Sequence, residues 1–534
     1  MRRVRGSDAA RKLLLHRGLR AHDPRRASSR AGQGRRARGE PVPDARPDRA
    51  HRRRLPLEPD GRRLRQGRPG AAPRDRGCAP RPHRGGADRG RRPGVIERLL
   101  DDARRRARGA DAIWRRVEST SVSFDWGRLK AAGATEEAGI GLRVLRDGRV
   151  GTAGTTAVAA AGELVDRALA SADLGGTVEL TLPGAAPLPP VPTHFDRAAG
   201  ASLDDLIAIG RGVLERLTRD GCQVSVGIGR DISETRVANT AGAHASYRTT
   251  AVGVSAEIWR FAGDDVLMIG DSWEGCDLPA QDRLDALVRS ITDRLERALR
   301  IVAPPEGALP VVFTPPGLAA ILLPVTQALS GKAVLQGISP LAGRLGQQVF
   351  DPAFSVTDDP LRPGRAASRP IDDECVPSAP LPLVARGSVR GFIYDLETAA
   401  RANTRSTGHG QRGIFSKPVP GYTNIIIGEA GSGNDDAVGE LGGGLLGDVR
   451  DGLVVDELIG VGQGNVIGGA FSHPVALAYR VERGEITGRV KDAAVAGNAY
   501  ELLKRIGGFG TDGRWYGARH TPSLLLEGVS VARR

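Results

Sequence analysis

The sequence predicts an α+β protein of two domains, an N-terminal α/β domain over residues 94–301 and a largely β domain over 305–534, preceded by an arginine-rich tract. Three observations carry this. Residues 1–93 hold 28 arginines and one lysine against nine carboxylates and lack Phe, Tyr, Trp and Ile, so they cannot bury enough apolar surface to offset chain entropy. From residue 94 to 301, segments of helical and of alternating hydrophobic period follow one another. Beyond "VAPPEGALP" (302–310), read as a linker because of its paired prolines, the chain turns rich in Gly and in short alternating runs.

Each element can be justified in order. "VIERLLDDARRRA" opens the globular part with helical spacing, and "TSVSFDW" (120–126) alternates Val122, Phe124 and Trp126 as a strand with one buried face. "GIGLRVLRDGRVG" (139–151) alternates Ile140, Leu142 and Val144 and then offers Asp147-Gly148 as a hairpin turn. "SLDDLIAIGRGVLERL" (202–217) begins with a capping box made by Ser202 and Asp205 and continues as an amphipathic helix. Residues 223–270 read as several strands, and 282–299 as a second amphipathic helix. In the C-terminal part, "VARGSVRG" (384–391) and "VERGEITG" (481–488) repeat one hairpin pattern, and "AYELLKRI" (499–506) predicts a short helix.

The net charge of +15 invites a polyanion partner, yet the positive excess lies within 1–93 and the rest of the chain is weakly acidic. That tract reads as disordered. It is open to three readings: a nucleic-acid-binding tail acting through arginine, a transit peptide, which nine acids and dense Pro and Gly argue against, or a GC-rich gene read from too early a start. Nucleic acid is not the expected partner. Four cysteines (Cys78, Cys222, Cys276, Cys375) lie too far apart for a zinc knuckle or disulfide framework, which suits a reducing cytoplasm. The longest apolar run, 317–329, is too short for a membrane span.

Outside the tract the histidines are His194, His244, His409, His473 and His520, and no two stand one helical turn apart as in zinc hydrolases. No G-x-S-x-G elbow appears. "SGKA" (330–333) and "GVGQGNVIGG" (460–469) lack the setting of a phosphate or dinucleotide loop and are expected to be loops, and "GEAGSGNDD" (428–436) a turn with solvated carboxylates. The densest cluster is "RPIDDECVPS" (369–378), where Asp372, Asp373, Glu374 and Cys375 are consecutive. Carboxylates set before a Pro and a hairpin can hold backbone N–H groups of the turn, so structural support is expected of them rather than catalysis.

Several segments in fixed order, "SRPIDDECVPSAPLPLVARGSVRGFIYD" (368–395), "STGHGQRG" (406–413), "PGYTNIIIGEAG" (420–431), 452–498 and "TPSLLLEGVSV" (521–531), together with "ESTSVSFDWGRLK" (118–130) and 139–156, resemble the TldD/PmbA family. The resemblance covers about 94–534 and implies a two-domain fold. It further implies a heterodimeric metallopeptidase that acts on unfolded or short peptides, with links to peptide-antibiotic maturation, antitoxin turnover and gyrase modulation. The family's TldD type carries H-E-x-x-x-H on a helix and a distal Cys, whereas the TldE, or PmbA, type does not. Here "ILLPVTQALSG" (321–331) sets Pro324 and Val325 at the first His and Glu, and Leu329 at the second His, and the C-terminal segment supplies no Cys.

The chain therefore looks like the TldE type, with no catalytic residue, metal ligand or cofactor of its own, zinc expected in a TldD-type partner subunit, and a cytoplasmic location. The same resemblance places Asp372, Asp373 and Glu374 in a family motif of the form D-D-E-G or D-S-E-G, with Cys375 at the glycine. A Cβ there opposes a positive φ. Two other functions remain open at this stage. One is an autonomous hydrolase whose atypical metal site joins His409, His473 and His520 to the 372–374 carboxylates; the other is a nucleic-acid-binding protein acting through residues 1–93.

Overall fold

A computed structural model describes residues 94–428 and 440–534 of the chain. The arginine-rich tract and most of the turn expected at 428–436 fall outside the described residues.

The first layer is a six-stranded antiparallel sheet. Its strands are β1 (Gly109–Asp125), β2 (Arg128–Arg146), β3 (Arg149–Thr155), β4 (Cys222–Asn239), β5 (His244–Ala262) and β6 (Asp265–Gly275), in the order β3-β2-β1-β4-β5-β6. The strand expected at 120–126 is the end of a longer one. The Asp147-Gly148 hairpin forms as read, both residues at positive φ (50° and 69°), the backbone a tight hairpin turn requires.

One face of this sheet takes the helices. Helices α1 (Val95–Arg104) and α2 (Leu164–Asp173) cover Ala110, Ala112, Ile140, Leu142 and Val144 at one end. Helix α3 (Leu203–Leu217) begins with the predicted reciprocal Ser202–Asp205 cap and lies with α4 (Gln281–Ala298) over Val122, Phe124, Val226 and Ile258 at the other.

Behind α3 and α4 stands a second sheet, of eight strands, built from residues 301–533. Its central strands alternate strictly between two cores. Val312, Val454, Leu477, Tyr479 and Leu525 face α3 and α4, while Val311, Phe313, Leu453, Val455, Leu524 and Leu526 face the opposite core. A sheet covered on both sides in this way explains the long aliphatic runs. Arg294, buried on α4, ties the layers together: it donates to Asp456 Oδ2 at 2.7 Å, and Thr314 holds the other oxygen of Asp456.

The opposite core receives helix α5 (Ala319–Ala328) and the chain from 329 to 427. Both repeated hairpin tips form, Arg386-Gly387 and Arg483-Gly484 each carrying positive φ.

Two expectations need correction. The linker read over 302–310 shrinks to 303–306, because Ile301–Val302 pairs with Glu485–Val490 and Gly307–Phe313 is a central strand. Pro310 is tolerated there since it lies where the register against Leu524–Arg533 shifts, between Leu526 and Val529, so its missing N–H breaks no regular ladder. "SGKA", expected to be a loop, starts a short helix (Gly331–Leu335) whose Gly331 packs so close to Tyr394 that a Cβ would lie 2.2 Å from the ring. Among the described residues no helix is long and apolar enough to cross a membrane.

Candidate functional site

The carboxylate cluster lies against the face of the six-stranded sheet that the helices leave free. Ile371 and Cys375 pack there on Ile113, Val237 and Ala243. The neighbouring loop reaches the same face because β2 and β3 present glycine to it: a Cβ on Gly141 or Gly154, opposed across the two strands, would come 2.7 or 2.3 Å from the Ile414 carbonyl oxygen.

Every oxygen of the three carboxylates accepts at least one hydrogen bond. Asp372 accepts from the Glu374 and Val376 N–H groups at 2.9 and 2.8 Å through Oδ1, and from Gly410 N–H at 2.9 Å through Oδ2. Asp373 accepts from Arg115 Nη2 at 3.1 Å and from Arg412 N–H at 2.9 Å. Glu374 accepts from Leu396 N–H at 2.6 Å and from Arg143 Nη1 at 2.5 Å. Arg143 in turn meets Asp111, its directly opposed neighbour on β1, at 2.6 Å, and Arg412 Nη1 reaches the other oxygen of Asp111 at 2.7 Å. Three consecutive acids thus pin the 408–412 loop, the Leu396 helix start and the sheet to one turn.

Burial and the facing guanidiniums oppose each other inside this network. Burial pushes the Glu374 and Asp372 carboxyls up, opposed by Arg143 for the first and by Arg369 and three backbone N–H groups for the second. Burial works against the charge on Arg143, but Asp111 and Glu374 more than offset it and hold the guanidinium firmly charged. Burial, then the nearby Asp111 and Asp372 charges, push the Cys375 thiol far up, so it stays protonated and is a poor nucleophile. No water-facing acid or base stands ready for proton transfer here.

Cys375 does adopt the left-handed conformation, φ 66°, at the position the motif gives to glycine. Glycine there removes roughly 1 kcal/mol of backbone strain and forfeits about as much burial. Cys375→Gly is therefore expected to shift stability by less than about 1 kcal/mol, whereas Cys375→Val, with a branched Cβ, is expected to cost about 2 kcal/mol or more. Thermal unfolding of the two variants checks this.

The other predicted positions lie elsewhere. Pro324 and Val325 are buried within α5 and Leu329 closes it, Val325 and Leu329 packing in the core with Phe313 and Val455. Pro324 offers only its carbonyl, which accepts from Tyr500 Oη at 3.1 Å. Zinc does not fit this helix: the three side chains have no lone pair to give, and two of them are core aliphatics.

The atypical metal site required convergence that does not occur. His409 is buried between Asp358 Oδ2 at 3.0 Å and the Thr407 carbonyl at 2.8 Å, His473 stacks on Phe471, and His520 meets the edge of Trp515. Among the described residues no three His, Cys, Asp or Glu side chains form a metal-binding group. The reading fails because each histidine has its own local partner.

Sequence reasoning missed the cationic half of the 372–374 network, Arg115, Arg143 and Arg412, together with Asp111. The available signal was Arg143 between Leu142 and Val144, a charge on the second face of a strand.

Known proteins share this architecture. A model described as PmbA/TldA metallopeptidase C-terminal domain matches residues 306–533, and one described as PmbA/TldA metallopeptidase domain 1 matches 110–172, together more than half of the chain. A metalloprotease of Methanothermobacter thermautotrophicus is 25% identical over 435 residues, 78% of this chain and 91% of that protein. A metalloprotease TldD homolog of Haemophilus influenzae is 32% identical over 211 residues, 39% of this chain but only 42% of that protein. The crystal structure of TldE from Thermococcus kodakarensis superposes with a TM-score of 0.74 at 24% identity, covering 82% of this chain and 100% of that one.

Proposed function

We infer, from the premise that this chain belongs to the TldD/PmbA family, that it is a TldE-like, non-catalytic subunit working with a TldD-type zinc metallopeptidase on unfolded or short peptides in the cytoplasm. The observation that carries this reading is helix α5. At the positions where the family resemblance sets two histidines and a glutamate, it has Pro324, Val325 and Leu329, all buried, with Val325 and Leu329 in the apolar core. Without a Lewis acid at that helix there is no activated water, and bond cleavage falls to a companion chain that holds the zinc. The carboxylates at 372–374 support the same reading, since every oxygen already accepts a hydrogen bond from the turn, the neighbouring loop or an arginine.

Co-expression with a TldD-type subunit tests it. The two chains are expected to elute together, with oligopeptide cleavage that needs both and that is lost on zinc removal and regained on its return. Separate elution with cleavage unchanged by this chain would count against the pairing. Tightly held zinc in the lone chain, together with peptide cleavage by it, would overturn the reading.

A further inference from the structure

The outer edge of β2 is the unfinished part of the first sheet. Strand β3 covers β2 only from Ile140 to Arg146, and among the described residues no strand pairs with the outer side of Arg128 to Gly139. Ten consecutive residues there, Arg128 to Glu137, are exposed on both faces of the sheet, and a Cβ added to Gly133 would meet nothing. Open edges of this length are normally blunted by charge, proline or a bulge. Here the only bulge falls at Lys130, and Ala131 to Thr135 hold no charge and no proline.

The charges stand at the two ends. Arg128 and Lys130 precede the uncharged centre, and Glu136 and Glu137 follow it. An antiparallel copy of the same strand, related by a two-fold axis at Gly133 and with Lys130 bulged out as it is against β1, brings the basic end of each alongside the acidic end of the other. In that register Arg128 faces Glu137 twice, once on each side of the axis, and the small residues Ala131 to Ala134 let the backbones approach. A parallel copy would set like charges side by side.

We propose that the β2 edge is a self-association surface, where a second copy of this chain adds its own β2 antiparallel and joins the two six-stranded sheets into one. A two-fold contact of this kind is self-complementary and closes without exposing a further edge of its own type. The proposal does not depend on the zinc-bearing partner.

Sedimentation of the full chain over a range of concentrations, with amide hydrogen exchange, tests this. A monomer–dimer equilibrium is expected, with amides between 128 and 139 gaining protection as the dimer fills. Arg128→Glu and Glu137→Arg are both on exposed positions and should each weaken self-association roughly tenfold or more, since each sets like charges opposite twice. Mixing the two variants should restore the dimer, because every facing pair is again opposite in charge. A chain that is monomeric at all concentrations overturns the proposal, as does a dimer indifferent to both substitutions. Protection at 128–139 that is independent of concentration, or that appears only with an added peptide, overturns it as well, in favour of a segment of the same chain or a bound peptide.

Discussion

Arg143→Ala is expected to lower the free energy of unfolding by about 3–5 kcal/mol, the largest effect of any single substitution considered for this chain. The guanidinium is 1% exposed and is shared between Asp111 at 2.6 Å and Glu374 at 2.5 Å, both fully buried. Removing it leaves two carboxylates out of water, with Asp111 retaining Arg412 and Glu374 retaining only the Leu396 N–H. The penalty is therefore that of a buried polar network stripped of its shared donor, Asp111 keeping one cation and Glu374 its proton, and not merely of a lost contact. A double variant, Arg143→Met with Glu374→Gln, should recover much of the loss, because it removes the cation and its sole-partner acid together. Urea unfolding of the wild type, the single variants and the pair decides it. A loss for Arg143→Ala below about 1 kcal/mol would mean that the network does not bind the 369–375 turn to the sheet.

Why this network escaped sequence reading is instructive. Alternation in "GIGLRVLR" identifies Ile140, Leu142 and Val144 as one buried face, and the structure agrees. The same alternation assigns Arg143 to the other face, for which solvent is the default. That face is covered instead, by residues more than 200 positions later in the chain. No local period records such a contact. Turn chemistry, by contrast, is local: Asp147-Gly148, Ser202 with Asp205 and both R-G hairpin tips are fixed by residues within four positions, and all form as read. The linker at 302–310 was overread for a related reason. Helix α4 already ends at Ala298 and the strand Ile301–Val302 precedes the paired prolines, and nothing local says that Gly307 to Phe313 will find neighbours on both sides. The carboxylate cluster at 372–374 was legible from its consecutive acids, and its cationic partners were not.

The excess of acid in this network makes stability depend on pH in a direction opposite to that of most buried aspartates. Asp111, Asp372, Asp373, Glu374 and Asp395 are all buried, and the guanidiniums that face them are Arg115, Arg143, Arg369 and Arg412. One carboxyl is left short of a cation, and burial pushes Asp372 up to about 6 and Glu374 up to about 8, from ordinary values of 3.8 and 4.5. The folded chain then keeps a proton that the unfolded chain releases. The stability these groups contribute is fully present below about pH 4 and is lost as pH rises through 6 and towards 8. Asp271 acts in the other sense. Although burial opposes its charge, Arg514 and Arg294 hold it down to about 2, so its contribution is present at neutral pH and disappears only on strong acidification. Between pH 6 and 8 the free energy of unfolding is thus expected to fall, by at most about 1.4 kcal/mol per pH unit for one retained proton. Glu374→Gln cannot take up or lose a proton at that position, and its stability should be visibly flatter over the same interval even if lower in absolute terms. Urea midpoints at pH 6, 7 and 8 for the wild type and Glu374→Gln give the comparison. Stability that rises with pH in the wild type, or equal slopes in the two proteins, would show that the proton is not held at this turn.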